Sequence, residues 1–191
     1  MPSIKGTRTE KNLLAAFAGE SQARNRYTYA ASVAGKEGLL QIAELFIETA
    51  ENEKEHAKRF FKFLEGGAVK IEAMYPAGLT GTTAENLRAA AAGENEEWSK
   101  LYPEFAKVAK EEGFPEVAAA FTMIARAEKE HEDRYLKLLA NVEQNKVFAK
   151  EKSTRWKCRN CGYVHEGAEA PGKCPACLHD RQYFEVKAEN Y

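Results

Sequence analysis

With 191 residues, 44% of them hydrophobic and 30% charged, the chain has room for one medium domain and a small one. Its formal net charge is −1 and basic residues are interleaved with acidic ones, which excludes a nucleic-acid or anionic-membrane surface and leaves small molecules and other proteins as partners. No stretch approaches the roughly 20 apolar residues of a membrane span, and residues 1–19 hold no long apolar run before their first charges, so a cytoplasmic protein is expected.

Leu13, Ala16, Phe17, Ala23, Tyr27 and Ala30 fall on one stripe at helical spacing and predict a first helix from about Thr9 to Ala34. Gly35 and Gly38 punctuate the pattern. A second helix is predicted over Leu39 to Glu65, with Gly66 and Gly67 as its C-terminal caps. Residues 66–81 contain Gly66, Gly67, Pro76, Gly78 and Gly81 without a sustained period, which suits a long crossover. Thr82-x-x-Glu85 reads as a capping box opening a third helix to about Glu112, with a kink expected at Pro103. Gly113 stops it, and Pro115 starts a fourth helix reaching about Asn145. Four long helices with one long middle connection predict a mainly α, ferritin-like four-helix bundle over residues 1–150.

The bundle segment is internally duplicated. Glu53-Lys54-Glu55-His56 recurs as Glu128-Lys129-Glu130-His131, 75 positions later, and the match extends through Phe46 and Phe121, Ala50 and Ala125, Phe60 and Tyr135, Leu64 and Leu139. Upstream, Ala18-Gly19-Glu20 matches Ala92-Gly93-Glu94 at an offset of 74, so one residue was gained or lost between the anchors. Each half offers one Glu and then a Glu-x-x-His, the inward-facing ligand set of a carboxylate dimetal site.

An isolated Glu-Lys-Glu-His is ordinarily a solvated helix face held by ion pairs. Phase argues otherwise here. Glu53 and His56 interrupt the apolar stripe of Phe46, Ala50, Phe60 and Leu64, and Glu128 and His131 interrupt that of Phe121, Ala125, Tyr135 and Leu139. Glu55 and Glu130 point elsewhere, within reach of Arg59 and Arg134. Glu20 lies between Phe17 and Tyr27, and Glu94 and Glu97 lie between Leu87 and Leu101. Carboxylates on core-facing positions need compensating cations, because burying even one unpaired costs several kcal/mol. Oxygen and nitrogen donors with positions left open fit redox-active iron or manganese better than closed tetrahedral zinc.

Glu97 breaks the repeat, since a shift of 74 lands on Ala23. It is either a polar residue at the rim or a surplus ligand. In the second case Glu97 and His56 would alternate on one metal, carboxylate suiting the harder ferric ion and imidazole the ferrous one. Tyr27, two turns from Glu20, and Tyr102 are either hydrogen-bond donors to ligand carboxylates or plain core residues.

Beyond residue 150 Gly and Pro break up the chain, aromatics replace leucine and alanine, and a second domain over 151–191 is expected. So short a segment needs a metal staple. Cys158-x-x-Cys161 and Cys174-x-x-Cys177 supply four thiolates, which in an unsecreted protein indicate metal rather than disulfides. Spacing alone admits structural zinc or a single redox iron. The sequences Cys158-Arg159-Asn160-Cys161-Gly162-Tyr163 and Cys174-Pro175-Ala176-Cys177 resemble the two knuckles of rubredoxin, where backbone N–H groups approach the sulfurs and tune an iron potential. His165 and His179 are read as structural or surface residues.

The duplicated Glu and Glu-x-x-His sets, the extra Glu97 and the cysteine knuckles together resemble the rubrerythrin family across essentially the whole chain. The resemblance implies a non-haem di-iron site bridged by Glu53 and Glu128, with Glu20 on one iron, Glu94 and His131 on the other, and Glu97 and His56 exchanging on the first. It implies one further iron on Cys158, Cys161, Cys174 and Cys177. The implied activity is that of a peroxidase reducing hydrogen peroxide to water in oxidative-stress protection, with Glu97, His56 and Tyr27 at the reacting centre. Electrons would come from an NAD(P)H-dependent reductase or through a separate rubredoxin, and the family forms homodimers. The alternatives are a ferroxidase or iron-handling ferritin-like protein, and a non-enzymatic iron or zinc module.

Overall fold

The computed structural model describes residues 3–78 and 80–190; the outermost residues of the two expected domains, Met1 and Tyr191, lie outside them. Helix α1 (Arg8–Lys36) starts where Thr7 accepts from the Glu10 backbone N–H. The Glu112 carboxylate, from the end of the third bundle helix, accepts from Thr9 N at 2.8 Å and Thr9 Oγ1 at 2.7 Å. It thus satisfies a free helix-terminal donor and ties the first helix to the third.

Helix α2 (Leu40–Phe61) ends short of the expected Glu65. Lys62 to Leu64 tighten into i→i+3 turns, Phe63 N to Phe60 O and Leu64 N to Phe61 O, both at 3.1 Å. Glu65 turns away to accept from Ile4 N at 2.8 Å and Ser3 Oγ at 2.7 Å, so its carboxylate pins the N-terminal segment instead of extending the helix. Gly66 and Gly67 follow with φ of 79° and 92°, the left-handed region only glycine enters freely. Among its described residues the crossover then holds no regular element up to the Thr82/Glu85 capping box, present as expected.

The third bundle helix has three parts: α3 (Thr83–Glu96), a π-helical turn (Glu97–Leu101) and α4 (Tyr102–Glu111). The wider turn lies just upstream of Pro103, where the sequence predicts a kink, and is closed by Tyr102 N–H on Glu97 O. Helix α5 (Pro115–Glu143) completes the bundle, and Asn145 at φ 55° ends it.

Two apolar clusters fill the bundle. One gathers Tyr27, Ile42, Phe46, Leu87, Tyr135 and Leu139; the other gathers Leu13, Phe60, Tyr102, Phe114, Phe121 and Ile124. On every helix the sequence order places a glutamate between them: Glu20, Glu53, Glu94 and Glu128, all buried. The core is therefore two hydrophobic plugs with a polar layer between.

Strand β1 (Ala149–Cys158) pairs antiparallel with β2 (Val164–Glu169) on one side and β3 (Phe184–Val186) on the other. Trp156, Cys158, Ala170, Cys174 and Phe184 form the small core. This tail rests on the start of α2: Arg159 forms ion pairs with Glu44 and with Glu185, and Gln182 lies over Gly38, where a Cβ would come within 3.2 Å of its Oε1. Among the described residues no helix is long and apolar enough to cross a membrane.

Candidate metal centre

The helical period sets Glu53 beside His56 and Glu128 beside His131, three residues apart on one face, and the antiparallel pairing of α2 and α5 brings the two motifs together. Each central carboxylate faces both imidazoles. Glu53 has Oε2 at 3.0 Å from His56 Nδ1 and Oε1 at 3.2 Å from His131 Nδ1; Glu128 has Oε1 at 2.9 Å from His56 Nδ1 and Oε2 at 2.8 Å from His131 Nδ1. Glu20 Oε2 stands 3.9 Å from His56 Nδ1, and Glu94 Oε1 stands 3.9 Å from His131 Nδ1. Two groups result, Glu20, Glu53, His56, Glu128 and Glu53, Glu94, Glu128, His131, each offering donor atoms within 4.8 Å of one another. They share Glu53 and Glu128, one oxygen of each to each side.

The donors fit metal ions. Bonds of about 2.1 Å at right angles put neighbouring donors about 3 Å apart, close to the spacings above. Both oxygens of Glu128, Glu53 Oε1, Glu20 Oε2, Glu94 Oε2 and His131 Nδ1 are buried without a properly directed hydrogen bond, although the Glu128 oxygens lie within 3 Å of ring nitrogens. Such buried atoms are costly unless a cation joins them. Charge tells the same story. Burial, then the neighbouring carboxylates, push Glu20 and Glu94 well above the usual range. Burial alone would lower His56 and His131, yet the Glu128 and Glu53 carboxylates raise them to about 10 and about 9. Burial likewise would raise Glu53, but the two imidazoles bring it down to about 2.

Glu97 stands outside both four-residue groups. It is half-buried in the π-turn, and its Oε1 lies 3.8 Å from where a Cβ on Gly19 would sit, on the Glu20 side. Burial, then Glu128 and Glu53, raise it to about 8. The two tyrosines donate to carboxylates of these groups: Tyr27 Oη to Glu94 Oε1 at 2.5 Å, and Tyr102 Oη to Glu20 Oε1. The acceptor of Tyr27 is on α3 rather than its own helix. Arg59 and Arg134 do not take the exposed glutamates expected for them. Arg59 lies over the Phe63 ring at 4.6 Å, Arg134 pairs with Glu48 at 2.5 Å, and Lys58 takes Glu55 at 3.0 Å.

The four cysteine sulfurs also converge. Cys158 Sγ to Cys177 Sγ is 3.7 Å and Cys161 Sγ to Cys174 Sγ is 3.6 Å, against an edge of about 3.8 Å for a tetrahedron with bonds of about 2.3 Å. Backbone N–H groups of Tyr163 and His179 reach Cys161 and Cys177, the knuckle arrangement expected from the sequence. The His179 N–H is the first cause holding the Cys177 thiol down to about 6. Asn160 Nδ2 lies 3.4 Å from the His179 ring, and His165 belongs to β2, where it pairs with Trp156 of β1.

Sequence reasoning passed over Glu132. It accepts from Asn95 Nδ2 at 3.0 Å and from Trp98 Nε1 at 2.5 Å. The signal was available: a shift of 75 places Ala57 in the other half, so Glu132 breaks the repeat as Glu97 does.

A four-helix bundle with a buried carboxylate–histidine pair of sites, followed by a four-cysteine knuckle fold, defines a ferritin-like dimetal protein with a rubredoxin-like domain. Residues 11–139 match the rubrerythrin family model, and residues 156–185 match the rubrerythrin rubredoxin-like domain. The chain is 65% identical over 189 residues to rubrerythrin from Porphyromonas gingivalis, covering 99% of this chain and 94% of that protein. It is 60% identical over 195 residues to rubrerythrin from Clostridium perfringens, covering both in full. A solved structure of nigerythrin in a mixed-valence state matches with a TM-score of 0.64 at 32% identity, covering 96% of this chain and 91% of that one. The chain belongs to the rubrerythrin family. Its two donor sets accord with a di-iron pair in the bundle and one iron on four cysteines.

Proposed function

We propose that this protein is a hydrogen peroxide reductase: H2O2 takes up two electrons and two protons and leaves as two waters. Residues 1–150 form the reacting domain and 151–191 the electron-entry domain. Glu20, Glu53, His56 and Glu128 would hold one iron, and Glu53, Glu94, Glu128 and His131 the other, with Glu97 as the exchangeable ligand beside His56. When bound, the iron pair would supply the two electrons and the Lewis acidity for O–O cleavage.

The protein's share is positioning. Tyr102 and Tyr27 donate to Glu20 and Glu94, leaving the other oxygen of each carboxylate for metal. Burial first, and then Glu94 for Tyr27 and Glu20 for Tyr102, push both phenols well above their ordinary range, so each keeps its proton and stays a donor. The Phe60 and Phe121 rings, 4.8 Å apart, and Tyr27 and Phe46 on the opposite side keep bulk water from the polar layer. Cys158, Cys161, Cys174 and Cys177 hold a centre that passes one electron at a time, supplied by an NAD(P)H-dependent reductase or a rubredoxin, in a cytoplasmic homodimer.

The observation that supports this reading is the presence, in one chain, of a shared-carboxylate dimetal site and a four-thiolate site; a ferroxidase has no need of the second. The test is stopped-flow oxidation of the reduced, iron-loaded protein by peroxide and by O2 at matched concentrations. Faster oxidation by peroxide is expected. Equal or faster oxidation by O2 would favour the ferroxidase.

A further inference from the structure

We propose that Glu132 is the positioning residue of Glu97. A π-turn gives up regular α-helical hydrogen bonding, and such turns concentrate at functional sites; something must hold this one in register. The Ser99 hydroxyl donates to Asn95 O at 2.5 Å, a bond within the same helix that cannot fix its position against the rest of the bundle. Glu132 can. Its two oxygens take Asn95 Nδ2 and Trp98 Nε1, one donor before Glu97 and one after it, and it is carried on α5 next to His131. The half-buried indole and carboxylate make a charge-assisted bond, stronger than a neutral one and directional. Both contacts therefore tie the segment bearing Glu97 to the helix bearing Glu128 and His131.

The internal repeat supports the pairing independently. The extra residue, the extra carboxylate Glu97 and the clamp Glu132 all belong to the second half, whose counterparts are Ala23 and Ala57. The first half has neither the wide turn nor a residue to clamp it. Glu132 touches no metal-facing atom among its described hydrogen bonds; it acts through the backbone between Asn95 and Trp98.

This inference rests on the reading of Glu97 as an exchangeable ligand, and the experiment separates the two. Full-length, iron-loaded Glu132→Ala, Glu132→Gln and Trp98→Phe proteins are compared with Glu97→Ala, and with Glu130→Gln as a control on the exposed face of α5. The readouts are iron per chain, the Mössbauer spectrum of the oxidised protein, and the rate of single-turnover oxidation by peroxide. Glu132→Ala is expected to keep its iron, to shift the Mössbauer parameters in the direction of Glu97→Ala, and to slow oxidation about tenfold or more, in line with the sensitivity of chemistry to misplacement of about 1 Å. Trp98→Phe should shift them the same way. Glu132→Gln retains one acceptor oxygen and should fall between wild type and alanine. A wild-type spectrum and rate in Glu132→Ala, or loss of iron in place of a spectral shift, overturns the proposal. If Glu132→Ala does not fold, Trp98→Phe and Glu132→Gln decide by the same criteria. An unchanged spectrum in Glu97→Ala removes the ligand reading itself, whatever Glu132 does.

Discussion

Tyr27 and Tyr102 cross-link the two halves of the bundle: Tyr27 on α1 donates to Glu94 on α3, and Tyr102 on α4 donates back to Glu20 on α1. They are 75 positions apart, whereas the glutamates they serve are 74 apart. The extra residue therefore lies between Glu94 and Tyr102, where the helix opens into the π-turn. The turn absorbs the insertion, so Tyr102 faces Glu20 as Tyr27 faces Glu94.

Replacing either tyrosine by phenylalanine keeps the ring packing, which for Tyr102 includes Phe60 at 5.7 Å and Phe121 at 5.7 Å. Only the hydroxyl donor is lost. A group that orients a metal-binding carboxylate typically contributes roughly 10-fold to 100-fold in metal affinity. Tyr102→Phe and Tyr27→Phe are each expected to weaken ferrous binding by that order, read by anaerobic titration, with thermal stability close to wild type. Unchanged affinity in both would make the tyrosines plain core residues.

Glu97→Ala is expected to leave the ferrous pair assembled, because the two four-residue groups are complete without it. The oxidised state and peroxide turnover should change. Anaerobic iron binding beside peroxidase kinetics checks this, and activity tracking only the iron content would make Glu97 an ordinary structural ligand.

Much of this site was legible because its candidate metal ligands obey two periods at once. Glu53 and His56 sit in the helical repeat of an apolar stripe and in the 75-residue repeat of the chain, and a solvated glutamate rarely satisfies both. The π-turn was not legible. Its local cue, Pro103, predicts a kink just as well, and only the position of the inserted residue relative to Tyr102 distinguishes them. Glu132 was hidden because its partners Asn95 and Trp98 are on another helix. The docking of the tail through Arg159 and Glu44, 115 positions apart in the chain, has no periodic signature at all.

Metal loading should release protons. In metal-free protein Glu20 and Glu94 are raised well above 4.5, and His56 and His131 lie at about 10 and about 9 against an ordinary 6.5; ligands must shed these protons to bind. The stabilising contribution of the raised histidines is fully present below pH 6.5 and lost as pH rises through 9 to 10, while the raised carboxylates cost stability increasingly above pH 4.5. Metal-free protein should therefore melt at a lower temperature at pH 9 than at pH 6, and added Fe(II) should acidify a weakly buffered solution. A melting temperature that rises with pH, or binding without proton release, contradicts this account of the buried charges.

On the proposed function, the tail separates refilling of the iron pair from its oxidation. Thiolate edges of 3.6 and 3.7 Å suit zinc as well as iron, so zinc in the tail should preserve its shape and its docking on α2 while removing its redox change. The first oxidation by peroxide of pre-reduced, iron-loaded bundle should then proceed at the wild-type rate. Continuous turnover with an NAD(P)H-dependent reductase should collapse, because electrons enter singly through the cysteine site. Glu44, where Arg159 rests, is nine residues from Glu53 on one helix, a rise of about 13.5 Å, so the tail is docked well along α2 from the carboxylate layer of its own chain. In the proposed homodimer, transfer is expected to run between subunits. Mixing iron-tailed subunits that lack Glu53 with zinc-tailed subunits that have an intact bundle should restore turnover, although neither parent is active. If zinc-tailed protein alone turns over at the full rate, the tail is structural; if the mixed dimers form but stay inactive, electrons do not cross between subunits.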